Sequence, residues 1–119
     1  MKLAISSHDG KFDTPFSDRF GRCRQFVFIE TETGNWQAKL NPAAVTRGGA
    51  GAQVVQFLAD NDVEATISGR YGPTALSALE AAGIQAYIAT TGTPASLSEK
   101  FLADELVQIN TSKDEEMYD

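Results

Sequence analysis

The sequence predicts an α/β fold in three layers: a mixed five-stranded sheet with helices on both of its faces. Three observations carry this. Two runs rich in β-forming residues, 25–30 and 36–40, flank the short turn Thr31-Glu32-Thr33-Gly34-Asn35, which is the pattern of a hairpin. Beyond it, runs of β character alternate with segments of helical period, as they do when crossover helices join parallel strands. Pro73, Gly83 and Pro94 also fall where those helices should begin or end.

Taken in order, residues 2–7 read as a short buried strand. His8 to Gly21 form a long polar loop broken by Asp9-Gly10, Pro15 and Gly21. Loops of this length in a small domain often carry function. The hairpin follows, with Trp36 as a packing residue on the sheet face, and then a loop over 41–49. Residues 51–60 have helical period, with Val54, Val55, Leu58 and Ala59 inward. Residues 65–68 are a strand. Pro73 opens a second helix with Ala75, Leu76, Leu79 and Ala82 inward, and Gly83 stops it. Residues 85–89 are a strand, and Pro94 opens a third helix with Leu97, Phe101 and Leu102 inward. Residues 106–109 read as a short edge segment outside the five strands. The acidic, apolar-poor stretch 111–119 reads as a disordered tail, leaving one domain over residues 1–110. Strands one, four and five should be parallel. The order of elements is that of the ribonuclease H-like fold.

Composition narrows the function classes. A chain of 119 residues can bury a core of its own. No apolar run approaches the roughly 20 residues of a membrane span, and Met1-Lys2 leads directly into a strand, so a cytoplasmic protein without a signal peptide is expected. One cysteine, Cys23, can form no internal disulfide and cannot alone build a zinc or iron–sulfur site. A net charge of −6 opposes general nucleic-acid binding.

That net charge hides an asymmetry. In the predicted topology the loops 8–22, 41–50, 69–73 and 89–93 share the edge where the parallel strands end, which is where open α/β sheets bind ligands. All five arginines, Arg19, Arg22, Arg24, Arg47 and Arg70, lie in or beside those loops, whereas of the five lysines only Lys11 does. Arginine suits forked, partly dehydrated contacts with anions. Two glycine-led helix starts lie on the same edge, Gly48-Gly49-Ala50-Gly51 and Gly72-Pro73. Free amides and the helix dipole make such ends anion sites. The prediction is a pocket for a compact, multiply charged anion. The alternative is that arginines pair with Asp9, Asp13 or Asp18, which is expected for one or two of them.

At Asp18-Arg19-Phe20-Gly21-Arg22-Cys23, at Gly48-Gly49-Ala50-Gly51 and at Gly69-Arg70-Tyr71-Gly72-Pro73-Thr74-Ala75 the chain resembles the dinitrogenase iron–molybdenum cofactor biosynthesis family. Ala82-Gly83-Ile84 and Thr91-Gly92-Thr93 fit as well, and the similarity covers about residues 1 to 109. The resemblance is greatest to the stand-alone orange-protein type. It implies a ribonuclease H-like fold and a nitrogenase accessory factor or carrier. The implied ligand is an anionic molybdenum-containing metal–sulfur cluster, of Mo–Cu or Fe–Mo type, held without covalent bonds. The matching positions for cofactor binding are Arg19, Arg22, Cys23, Arg47, Gly48, Gly49, Ala50, Gly51, Arg70 and Gly72. Cluster-assembly proteins or an ATPase are the implied partners, with no nucleic acid and no membrane, and the chain is expected as a monomer or weak dimer.

Three side chains keep two readings each. Cys23 is either a small buried filler or a cluster ligand, and in the second case Arg22 and Arg24 would lower its pKa. His8, the single histidine, is either solvated or a metal ligand. Phe20 closes the top of the core or walls the pocket. The first strand lacks the carboxylate that a two-metal nuclease of this fold needs, and no acid, base and nucleophile are paired, so an enzyme is not expected. The remaining alternative to a cluster carrier is a regulatory module binding a phosphorylated small molecule at the same rim.

Overall fold

The computed structural model describes residues 1–44 and 50–111. The sheet is laid down around β1 (Lys2–Ser7), five of whose six residues are buried. On one side β1 pairs antiparallel with β2 (Gln25–Glu30), which pairs antiparallel with β3 (Trp36–Leu40), as the hairpin turn requires. On the other side β1 pairs parallel with β4 (Ala65–Ser68), and β4 pairs parallel with β5 (Gln85–Ile88). The helices are α1 (Ala50–Asp60), α2 (Pro73–Ala82) and α3 (Pro94–Leu102).

The sheet has six strands, not five. β6 (Val107–Ile109) pairs antiparallel with β5, giving the order β3-β2-β1-β4-β5-β6. The segment foreseen as an edge piece is a member of the sheet. Three residues with only Ile109 buried are too short to show an alternating pattern.

Alternation along the strands builds two cores. Ala4, Phe26 and Phe28 face one way, beneath α1 and α2, with Val54, Leu58, Leu76 and Leu79. Leu3, Ile5, Val27 and Ile29 face the other way, with Leu97 of α3. Helices therefore cover both faces. Two residues expected inward are exposed, Ala82 and Leu102. Each is the last residue of its helix. Trp36 is also half exposed. It stacks on Phe12 at 5.0 Å between centroids, so the long loop rather than the sheet face covers it.

The helix ends follow local rules. Gly83 stops α2 in the left-handed region at φ 73°, its N–H donating to Glu80 O. Thr93 caps α3: its hydroxyl accepts from the Ser96 N–H, and Ser96 Oγ accepts from the Thr93 N–H. Thr111 donates through its N–H to Glu80 Oε1 at 2.8 Å. The rest of the stretch expected as a tail, 112–119, lies outside the described residues. Among the described residues no helix is long and apolar enough to cross a membrane.

Candidate anion-binding site

The registers bring Ser7, Gln25 and Leu40 together at one end of the sheet and set Ser68 beside Ile88. The loops after β1, β3, β4 and β5 therefore share an edge, as the topology predicted. The first loop is fixed to that edge at several points. Phe16 N–H donates to Gly92 O at 3.0 Å, and Ser17 N–H donates to Ser6 O at 2.9 Å. Arg70 N–H donates to Asp18 O at 2.7 Å, and Phe20 N–H donates to Arg70 O at 3.1 Å. The last two bonds form a parallel bridge between Arg19 and Arg70, residues far apart in sequence.

Beside this bridge lies an open cavity of about 630 Å³. Arg19, Arg22 and Arg70 line it, as do Ala50 and Gly51 at the start of α1 and Gly72 at the start of α2. Six of the ten positions carried over from the resemblance thus meet in one place. α1 and α2 begin in contact: a β-carbon on Gly51 would stand 3.1 Å from Ala75 N. Gly72 offers α2 no side-chain cap, so the first-turn amides are left to other partners. The deeper wall is apolar, with Tyr71, Ala75, Ile88 and Ile109. The isoleucines were not foreseen, since the β-character of 85–89 says nothing about which side of the cavity it lines, and Ile109 sits on the strand the pattern missed.

Arg47, Gly48 and Gly49 lie outside the described residues. Arg24 is exposed and does not line the cavity. Of the aspartates considered as internal partners, Asp18 takes one: its Oδ2 lies 3.4 Å from Arg70 Nη2. Asp9 is engaged within its own loop, where the Thr14 hydroxyl and then the Lys11 N–H hold its carboxyl below the usual range. Among the described residues no side chain pairs with the Arg19 guanidinium.

Cys23 does not line the cavity. Arg22 and Arg24 point outward and the residue between them points in, so the thiol is buried in the core with Phe20 and Phe26. It donates to Phe20 O at 3.4 Å. Burial pushes its pKa up to about 12, the reverse of the lowering that flanking arginines would give a thiol on the rim. His8 is exposed in a separate depression on the α3 side, lined also by Asp18 and Thr90 to Thr93. Phe20 is 1 % exposed, so it closes the core; its edge still meets the cavity, and its ring lies 4.9 Å from that of Tyr71. The Tyr71 hydroxyl donates to Tyr87 O at 2.8 Å and lies 3.0 Å from Thr66 Oγ1. Burial raises its pKa. Among the described residues no three or more His, Cys, Asp or Glu side chains gather as a metal site. The groups available at the cavity are guanidiniums, helix-start amides and an apolar wall.

Comparison with known proteins bears on the fold and the family. The chain superposes on the apo form of the orange protein from Desulfovibrio gigas with a TM-score of 0.87 and 27% identity, covering 91% of this chain and 92% of that one. A NifB-like Thermotoga protein of the DUF35 family gives a TM-score of 0.79 and 33% identity, over 90% and 91% of the two chains. The uncharacterized protein MJ0580 of Methanocaldococcus jannaschii is 32% identical over 94 residues, 76% of each chain. The family model described as dinitrogenase iron-molybdenum cofactor matches residues 1–104. The chain therefore belongs to the dinitrogenase iron-molybdenum cofactor family.

Proposed function

We propose that this protein is a non-catalytic carrier, built on a ribonuclease H-like frame, for an anionic molybdenum-containing metal–sulfur cluster. It holds the cluster as cargo during assembly or storage. The observation that carries the reading is the meeting of Arg19, Arg22 and Arg70, from two distant segments, at one cavity beside two helix starts. Family membership and the likeness to the orange protein support the choice of cargo. Guanidinium is weakly hydrated and suits a large, diffuse anion, and the apolar wall at Ile88 and Ile109 favours one with a soft surface. Arg47, Gly48 and Gly49 are included among the cofactor-binding residues on the family resemblance alone, and cluster-assembly proteins are the partners that load or unload the cargo. Apo-protein mixed without air with tetrathiomolybdate and cuprous ion, or with an iron–molybdenum precursor, forms a coloured species that survives gel filtration. No retained colour with either probe defeats the reading.

A second reading has one observation in its favour. The uncapped first turn of α2 beside Arg70 also suits a phosphoryl group. A regulatory module for a phosphorylated metabolite would be stabilised in a melting screen by sugar phosphates or nucleotides and not by metal sulfides.

A further inference from the structure

The ion pair between Asp18 and Arg70 has an odd position for a stabilising contact. Arg70 lines the anion cavity, whereas Asp18 lines the neighbouring depression that holds His8. The pair therefore straddles the ridge between the two. Their main chains are clasped, with Arg70 N–H donating to Asp18 O at 2.7 Å, and Gly69 leaves no side chain between them. The backbone itself delivers the carboxylate to the guanidinium. Yet the contact is long, 3.4 Å, and wet, the two side chains being 71% and 57% exposed. An ion pair so open to water is weak and exchanges readily.

We propose that Asp18 is a built-in competitor for the anion: its carboxylate occupies Arg70 while the cavity is empty and gives it up when the ligand arrives. This rests on the reading of the cavity as an anion site. The two anions exchange on Arg70. A multiply charged anion among three guanidiniums outbids a single, solvated carboxylate for Arg70. As the anion leaves, the carboxylate is already tethered within reach to take the cation back, because the clasp between the two main chains does not depend on the side-chain contact. Such a competitor lowers affinity and speeds departure, which suits a protein that must hand its cargo on. Asp18 is a positioning residue in this scheme, acting on the ligand through Arg70.

The test is an anaerobic titration of the full chain with tetrathiomolybdate, comparing wild type, Asp18→Asn, Arg70→Gln and the double variant. Melting temperatures check that each is folded. Asp18→Asn is expected to bind about two- to fivefold tighter, the range an exposed ion pair allows, and to release the anion correspondingly more slowly. Arg70→Gln is expected to bind more weakly, and the double variant to match Arg70→Gln, because the effect of Asp18 runs through that arginine. A merely structural aspartate would give weaker binding on substitution. The proposal is overturned if Asp18→Asn binds no tighter, or if the tightening persists in the Arg70→Gln background, which would make it a general field effect. Binding by the wild type without tightening in Asp18→Asn defeats the competitor alone. Absence of binding by every folded variant defeats the anion site and the competitor together.

Discussion

Gly69 and Asp18 are packed closer than two residues with side chains can be. A β-carbon on Gly69 would stand 2.6 Å from Asp18 Cβ and 2.9 Å from its Cα. The obstacle is partly main chain, so it cannot swing aside. Gly69→Ala is expected to force the first loop away from β4, weaken the bonds Arg70 makes with Asp18 and Phe20, and cost about 1–3 kcal/mol. Chemical denaturation measures the loss, and anion binding should fall with it. A stability equal to wild type would mean that the two segments are not held this close.

The arginines should not be equal. Single alanine substitutions at Arg19, Arg22 and Arg70 are each expected to weaken tetrathiomolybdate binding and to flatten its dependence on ionic strength. Arg24→Ala, whose side chain stands off the cavity, should leave both unchanged. Isothermal titration at two salt concentrations decides. An Arg24 effect as large as the others would place the charge requirement in the whole rim rather than in the cavity.

The buried thiol predicts a pH dependence. Burial raises the Cys23 thiol to a pKa of about 12, whereas an ordinary thiol loses its proton at 9.0. Above pH 9 the unfolded chain therefore binds fewer protons than the native one, and stability falls as pH rises. The contribution is fully present below pH 9 and should decline by on the order of a few kcal/mol toward pH 12. Tyr71, also raised by burial, adds in the same direction at higher pH. Urea midpoints between pH 8 and 11 should drop, and Cys23→Ala should flatten the drop. Native Cys23 should also resist iodoacetamide until the protein unfolds. Rapid alkylation at pH 8 would contradict its burial.

The cap of α3 gives a local prediction. Thr93→Ala removes the hydroxyl that accepts from the Ser96 N–H at 3.1 Å. It is expected to destabilise by about 1 kcal/mol, seen as a lower melting temperature, with anion binding unchanged because Thr93 faces the other depression. Loss of anion binding would join the two depressions functionally.

Most of the frame was legible because it rests on short-range signals. Gly34 and Asn35 made the hairpin, Pro73 and Pro94 opened helices, Gly83 closed one, and alternation gave the buried strands. The shared edge of loops then followed from topology, and with it the meeting of Arg19, Arg22 and Arg70. What escaped depended on side-chain direction or on distant contacts. Cys23 is inside because the chain alternates between Arg22 and Arg24, which a loop reading does not reveal. β6 is held by β5 and not by its own pattern. Ala82 and Leu102 obey the helical period, yet each ends its helix and is exposed, which the period alone does not reveal. The pairing of Arg70 with Asp18 was foreseen only as one option among three aspartates, since nothing local to either residue specifies it.

The bonds that hold the first loop, from Phe16 to Gly92, from Ser17 to Ser6 and between Asp18–Phe20 and Arg70, have a kinetic meaning. Seventeen residues separate β1 from β2, and left loose they would have to be immobilised by each ligand in turn. Here that ordering is completed once, when the chain folds. Capture should accordingly proceed in a single bimolecular step whose rate rises in proportion to ligand concentration, without the plateau that a slow loop rearrangement would impose.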